Sequence, residues 1–283
     1  MKHSFAVDPD EAGMRLDQVV PRHIEGMSRR KARTVIDLGG VFVDRTRVKV
    51  AGRPVRAGQT IEVNLGGVMD RIERDGAEVP LAPKIVFTDD HIVIADKPAG
   101  LVTAPTPESD RGDLFDQLGR QFGELYLVHR IDLPTSGLLV FARTRAANKL
   151  LGDAFVRHDV DRVYRAVAIG EVAAQSIDRP IERRKAVTHV EPIERLAGAT
   201  LLAVRLETGR THQIRIHLAG LGHPIAGDPQ HGGELSRTFI PKAPRLALHA
   251  AVLGFTHPAT GERVRFESAM PDELAAWIAR LKI

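Results

Sequence analysis

From Val128 to Ala142 the chain reads VHRIDLPTSGLLVFA. Gly137 to Phe141 is an unbroken apolar run, the pattern of a strand buried in a core. A chain with such a strand must supply layers to cover it, which restricts it to folds with a packed central sheet. The same stretch opens on His129, Arg130, Ile131 and Asp132, followed by Pro134, Thr135 and Ser136. A carboxylate at the mouth of a core strand needs a partner, or its pKa rises and it neutralises.

The surrounding pattern sets the fold class. KIVFTDDHIVIADKPAG places two apolar runs around a Thr-Asp-Asp turn, a hairpin pattern. RVYRAVAIGEV and ATLLAVRLETGRTHQIRIHLA read as strands by alternation and β-branched content, and so does RVRFESA. ANKLLGDAFVRH suits an amphipathic helix. MPDELAAWIARLKI reads as a closing helix, with Pro271 near its start, acids in its first turn and Trp277 in the core. Strands and helices mix without a βαβ rhythm, which favours α+β: a mixed, mainly antiparallel central sheet flanked by helices and loops.

The first part of the chain reads as a separate module. Leu16, Val19 and Val20 share a helical spacing, and MSRRKARTVIDLGG is a clearer helix with Ser28 as N-cap and Gly39 and Gly40 as its stop. Ala32, Val35 and Ile36 form its apolar face, and Arg30 and Arg33 are expected to point away from it. Two short strands, VFVD and GQTIEVN, follow. The boundaries expected are a module at 1–65, a linker at 66–81 and a second domain at 82–283. The run Arg29, Arg30, Lys31 and Arg33 is either a solvated helix face or a phosphate-binding surface. A net charge of +4 permits nucleic-acid binding without requiring it.

Several chemistries drop out. There is no cysteine, hence no disulfide, no thiolate metal site and no Cys nucleophile. No Walker loop, dinucleotide-binding glycine motif or Gly-x-Ser-x-Gly elbow is present, and no helical His-Glu-x-x-His pairing offers a metal site. No stretch reaches the ~20 apolar residues of a membrane span. The N-terminus lacks the apolar middle of a secretion signal, so a cytoplasmic protein is expected. Two segments remain, the Asp132 stretch and ETGRTHQIRIHLAGLGHPIAGD. The second offers Arg210 and Arg215 as partners for Asp132; on one strand their odd spacing would put them on opposite faces. A structural ion pair joining two strands fits the pattern as well as a reactive site does.

HRIDLPTSGLLV closely resembles the first signature of the RluA family of RNA pseudouridine synthases, and GRTHQIRIHLAGLGHPIAGD resembles the second. DDHIVIADKPAGLVT, DRVYRAV and RLALHA match in the expected order, so the resemblance spans about Ala82 to Met270. The N-terminal module resembles the small RNA-binding domain named for ribosomal protein S4, an expected small α/β unit. Ile131 for the commoner Leu, Pro134 within the first signature and a short stretch between Tyr164 and Gly209 depart from the family pattern.

The resemblance implies an isomerase that converts specific uridines to pseudouridine in structured RNA, with Asp132 as nucleophile and no cofactor or metal. It makes Arg215 the charge partner of Asp132, Tyr164 the residue stacked on the base, and Arg130 the side chain that enters the helical stack when the uridine flips out. His129, Thr135, Arg210, His212 and Leu248 are expected around the substrate, with His129 and His249 in support. Arg29, Arg30, Lys31 and Arg33 become RNA contacts. Ribosomal RNA is the expected partner, transfer RNA a further one, and a monomer the expected state. Two other readings compete: a non-catalytic RNA-binding or ribosome-associated protein, and a metal-dependent phosphodiesterase using His and Asp.

Overall fold

The computed structural model describes residues 2–37, 39–65, 82–104 and 113–282. The chain divides into two compact units; among the described residues, 2–65 belong to the first, and 82–104 with 113–282 to the second. The linker expected at 66–81 lies outside the described residues.

The first unit comprises β1 (Lys2–Ala6), α1 (Leu16–His23), α2 (Arg29–Asp37), β2 (Val41–Val43), β3 (Thr46–Val48) and β4 (Thr60–Asn64). Its sheet has the order β1-β4-β2-β3 and is antiparallel throughout. Both helices pack on it through the stripes read from the sequence: Leu16, Val19, Val20, Ala32, Val35 and Ile36 are all fully buried. Ser28 Oγ accepts from the Lys31 amide and caps α2. Gly39, at φ 78°, then turns the chain while its amide closes on Ile36 O.

The second unit is built from β5 (Lys84–Thr88), β6 (Ile92–Lys97), α3 (Leu114–Phe122), β7 (Tyr126–Leu127), β8 (Ser136–Ala142), α4 (Arg145–Val156), β9 (Asp161–Ile169), β10 (Gln175–Asp178), β11 (Val187–Leu196), β12 (Ala199–Leu206), α5 (Gln213–Gly220), α6 (Gly233–Thr238), β13 (Leu248–Thr256), β14 (Arg263–Glu267) and α7 (Asp272–Ala279). The sheet runs β10-β11-β12-β9-β13-β8-β6-β5, with β14 on β13 and β7 on β8. Every pairing is antiparallel except β13 with β8. This is the mixed, mainly antiparallel α+β architecture that the sequence pattern favours.

Strand β8 is buried at every residue. Leu139 and Phe141 join the core under α3, α5 and α7, whereas Leu138 and Val140 join the core under α4. Covering on both faces explains its unbroken apolar run. Gly137 sits at φ 119°, and a Cβ there would lie 2.3 Å from Ala250 O. Only glycine lets β8 meet β13 at that point, where Gly137 pairs with Ala250.

One element differs from its reading. Ile214, Ile216 and Leu218 alternate as in a strand, yet Gln213–Gly220 is a helix. The buried positions are Gln213, Ile214, Arg215, His217 and Leu218, three of them polar. Gln213 Nε2 donates to Val187 O and Thr188 Oγ1, each at 2.9 Å. His217 bridges Thr188 Oγ1 and Arg179 O, also at 2.9 Å each. Polar side chains with internal partners occupy the buried face, so the apolar residues alone do not display the helical period. The opposite-face argument for Arg210 and Arg215 therefore does not apply: Arg210 precedes the helix and Arg215 lies in its first turn.

Candidate active site

Asp132 lies on the loop between β7 and β8, and the backbone on each side of it is pinned. Thr103 Oγ1 donates to Ile131 O at 3.0 Å. The Thr135 amide donates to Asp132 O at 3.0 Å, and the Gly100 amide to Leu133 O at 2.8 Å. Lys97, fully buried at the end of β6, donates from Nζ to Leu101 O at 2.7 Å, Pro98 O at 3.0 Å and Leu133 O at 3.2 Å. Burial, helped by the Arg245 charge and opposed by Asp132 and Asp96, pushes the Lys97 ammonium down to about 7. The DKPAGLVT segment is thus the clamp of the Asp132 loop, a role that pattern reading left unassigned. Its one legible sign is a lysine closing an apolar strand.

Lys97→Met should keep the packing volume and release one tie on Leu133. We expect kcat to fall roughly 10- to 100-fold through misplacement of Asp132, with KM for RNA unchanged. Loss confined to KM would show that Lys97 acts on binding instead. The pH dependence has a defined sign. An unfolded Lys97 titrates near 10.5 and the folded one near 7, so between those values the unfolded chain binds the extra proton. This component of stability therefore rises with pH across that window, and the Met variant should lack it in denaturant titrations.

Arg215 reaches Asp132 from the first turn of α5. Its Nη1 donates to Asp132 Oδ2 at 3.4 Å, with the Asp132 side chain 23% exposed. The stronger partner is one the sequence reading did not name. Arg215 Nε and Nη2 each donate at 2.8 Å to the two oxygens of Asp228, whose side chain is fully buried. The Gln230 and His231 amides donate to Asp228 Oδ1 as well. Burial opposes the charge on both residues of this pair; the bidentate bonds outweigh it, raising Arg215 and lowering Asp228 from their ordinary values. Asp228 ends the second signature segment, and its partner became legible only once α5 was in place.

Asp132 opens onto a cleft of about 980 Å³ whose lining includes Arg130, Tyr164, Arg210, His212 and Leu248. Tyr164, on β9, is pushed up to about 12 by burial and by Asp132, with Arg162 opposing. It stays a neutral phenol near pH 7, suited to stacking and to donating a hydrogen bond. His212, at φ 54° ahead of α5, places Nε2 4.0 Å from Asp132 Oδ2 and Nδ1 3.0 Å from His231 Nε2. Burial lowers its pKa, Asp132 opposing and Arg215 and His231 adding, so it too is neutral near pH 7. Arg130 is exposed, and Arg210 Nε donates to Lys185 O at 3.0 Å. Thr135 is buried, and its Oγ1 has no hydrogen-bond partner.

His129 also lines the cleft, but its Nε2 accepts from the Val140 amide at 3.1 Å and its ring stacks on Phe155 at 4.6 Å. Burial and the nearby Arg162 push it down to about 3, so it is a neutral brace for β8. Its hydrogen bond and stacking give it the supporting role expected beside its place at the cleft wall. His249 has the supporting role expected: its Nδ1 meets Ser136 Oγ at 2.9 Å.

In the first unit the basic run divides. Arg29 is buried, because it lies three residues before Ala32 and seven before Ile36, on the packed stripe. Its Nε is 3.4 Å from Asp17 Oδ2, Asp17 being fully buried, and Arg33 Nε donates to the same oxygen at 2.6 Å. Arg29 and Arg33 therefore serve the fold first, correcting the expectation that Arg33 points away from the packed face. Lys31 is exposed. Among the described residues, the group with metal-ligating spacing is Asp8, Glu11 and His23, in this unit.

A carboxylate held on a pinned loop and backed by a buried guanidinium thus faces an open cleft. Known proteins define the class. The sequence profile described as RNA pseudouridylate synthase matches residues 91–220, and that of the S4 domain matches 14–61. Ribosomal large subunit pseudouridine synthase D of Nitrosomonas europaea is 35% identical over 300 residues, covering 97% of this chain and 86% of that protein. An uncharacterized RNA pseudouridine synthase of Bacillus subtilis is 34% identical over 298 residues, covering 96% of each. The solved structure titled Human RNA Pseudouridylate Synthase Domain Containing 4 shares the fold, with a TM-score of 0.58 at 21% identity, over 77% of this chain and 98% of that one. The chain belongs to the RluA family of RNA pseudouridine synthases. It is an isomerase acting on RNA and carries an S4 RNA-binding domain.

Proposed function

We propose that this enzyme converts specific uridines of large-subunit ribosomal RNA to pseudouridine, with Asp132 as nucleophile. The observation that carries the reading is Asp132 itself: partly exposed at the cleft, fixed by its loop and 3.4 Å from Arg215. Relatives bearing the name ribosomal large subunit pseudouridine synthase D at 35% identity support ribosomal over transfer RNA as the substrate. A ribosomal substrate supports a cytoplasmic location.

The reaction breaks the bond between uracil N1 and the sugar, turns the base and joins C5 to the same carbon. N1 gains a proton and C5 loses one, so atoms and electrons balance without oxidant or energy source. A carboxylate suits this because it can add to an electrophilic carbon and leave again. Asp132 serves either by adding to C6 of the ring or by assisting cleavage at the anomeric carbon. Tyr164 packs against the base, and Arg130 fills the gap left in the stack by the flipped nucleotide. Mapping pseudouridine in ribosomal RNA from cells with and without the protein tests the assignment. An unchanged large-subunit map would refute it.

The S4 unit adds affinity through phosphate contacts. Lys31→Ala should flatten the salt dependence of RNA binding by roughly one unit of slope, with no change in melting. Arg33→Ala should instead lower the melting temperature, because buried Asp17 loses its 2.6 Å donor. An unaltered slope for Lys31→Ala would make it an ordinary solvated lysine.

A further inference from the structure

Arg162 lies two residues before Tyr164 on β9, so both side chains face the cleft that they line. Its guanidinium stacks over the Phe155 ring at 5.4 Å, and Nη2 donates to Glu207 O at 3.1 Å. Its Nε is buried and has no hydrogen-bond partner, and no carboxylate pairs with Arg162 among the described residues. Gly209 leaves it room, since a Cβ there would lie 2.8 Å from Arg162 Nη1. Burial pulls the guanidinium below its ordinary pKa, with Tyr164 opposing.

Arg215 shows how this fold treats a buried guanidinium that belongs to the scaffold: it supplies a buried carboxylate with two 2.8 Å bonds. Arg162 has one carbonyl and an aromatic face. A largely desolvated cation without a counter-charge is costly, and the cost is offset if the counter-charge arrives with the ligand. RNA brings an anion at every nucleotide. A base turned into the cleft toward Asp132 and Tyr164 carries its phosphodiesters with it, and planar N–H donors match phosphate oxygens.

We propose that Arg162 is a phosphate clamp. Its Nη1, which makes no hydrogen bond among the described residues, takes an oxygen of a phosphodiester flanking the target uridine and thereby sets how far the base enters the cleft. This rests on the reading of the cleft as the uridine site. It assigns Arg162 a positioning role distinct from base stacking by Tyr164 and from the charge partnership of Arg215.

The test uses the full-length enzyme and a ribosomal RNA fragment containing its mapped uridine. The fragment is made with ordinary linkages or with one uncharged methylphosphonate on the 5′ or the 3′ side of that uridine. Wild type should lose roughly 10- to 100-fold in kcat/KM at one of the two neutral linkages. Arg162→Met should lose a comparable factor on the ordinary RNA and, at that linkage, almost nothing more. Arg162→Lys, which keeps the charge and guards against a folding defect, should fall between them on ordinary RNA. Multiplicative losses in Arg162→Met, or wild-type indifference to both neutral linkages, would overturn the clamp; the former points to a uracil carbonyl as the ligand of Arg162. Failure of wild type to convert the ordinary fragment would refute the underlying site reading, and the clamp with it.

Discussion

Asp132→Ala and Asp132→Asn are expected to abolish pseudouridine formation, by roughly 10⁴-fold or more, as for loss of an enzymic nucleophile. RNA affinity and melting temperature should remain close to wild type. The structure supports this separation of effects. The Asp132 side chain is partly exposed, and its loop is held through backbone carbonyls of Ile131, Asp132 and Leu133, not through the carboxylate. Arg215 keeps both bonds to Asp228 when Asp132 is removed, so no buried charge is stranded. Tritium release from RNA labelled at C5 of uridine reads the chemistry, and filter binding reads the affinity. Turnover by Asp132→Ala within tenfold of wild type would remove the residue from the reaction.

What the sequence showed and concealed follows from where apolar residues carry the signal. Strand β8 and the β5–β6 hairpin over Asp89 were legible because their cores are built from Leu, Val, Ile and Phe. Trp277 and the stripe of α2 were legible for the same reason. Helix α5 was not, because Gln213, Arg215 and His217 occupy its packed face and their partners come from β11 and the loops around it. Arg29 was misplaced for a related reason: a charge at position i of an apolar stripe looks solvated until a buried Asp17, 12 residues earlier in the chain, is found beneath it. At the cleft, Asp132, Tyr164 and Arg215 were named through family signatures, and the structure brings them together. Asp228 and Lys97 went unnamed because a buried ion pair and a buried ammonium are defined by contacts that no local spacing displays.

Arg215→Ala should damage both fold and activity, and for two separable reasons. Asp228 would keep only the amides of Gln230 and His231 while losing two 2.8 Å donors in a fully buried setting. Stranding such a carboxylate costs about 3–5 kcal/mol, which for a chain of this size lowers Tm by roughly 10 °C. Asp132 would also lose its charge partner, so the residual folded enzyme should be inactive. Arg215→Lys should recover part of the stability and little activity, since an ammonium cannot hold Asp228 by two bonds and still reach Asp132. The double change Arg215→Met/Asp228→Leu separates the two losses. Replacing both members of a buried pair with apolar side chains is often neutral for stability, so the melting temperature should return toward wild type. Activity should not return, because the guanidinium that pairs with Asp132 is then gone. If the double variant forms pseudouridine at a near-normal rate, Arg215 is a scaffold residue for Asp228, and the 3.4 Å contact with Asp132 is incidental to the chemistry.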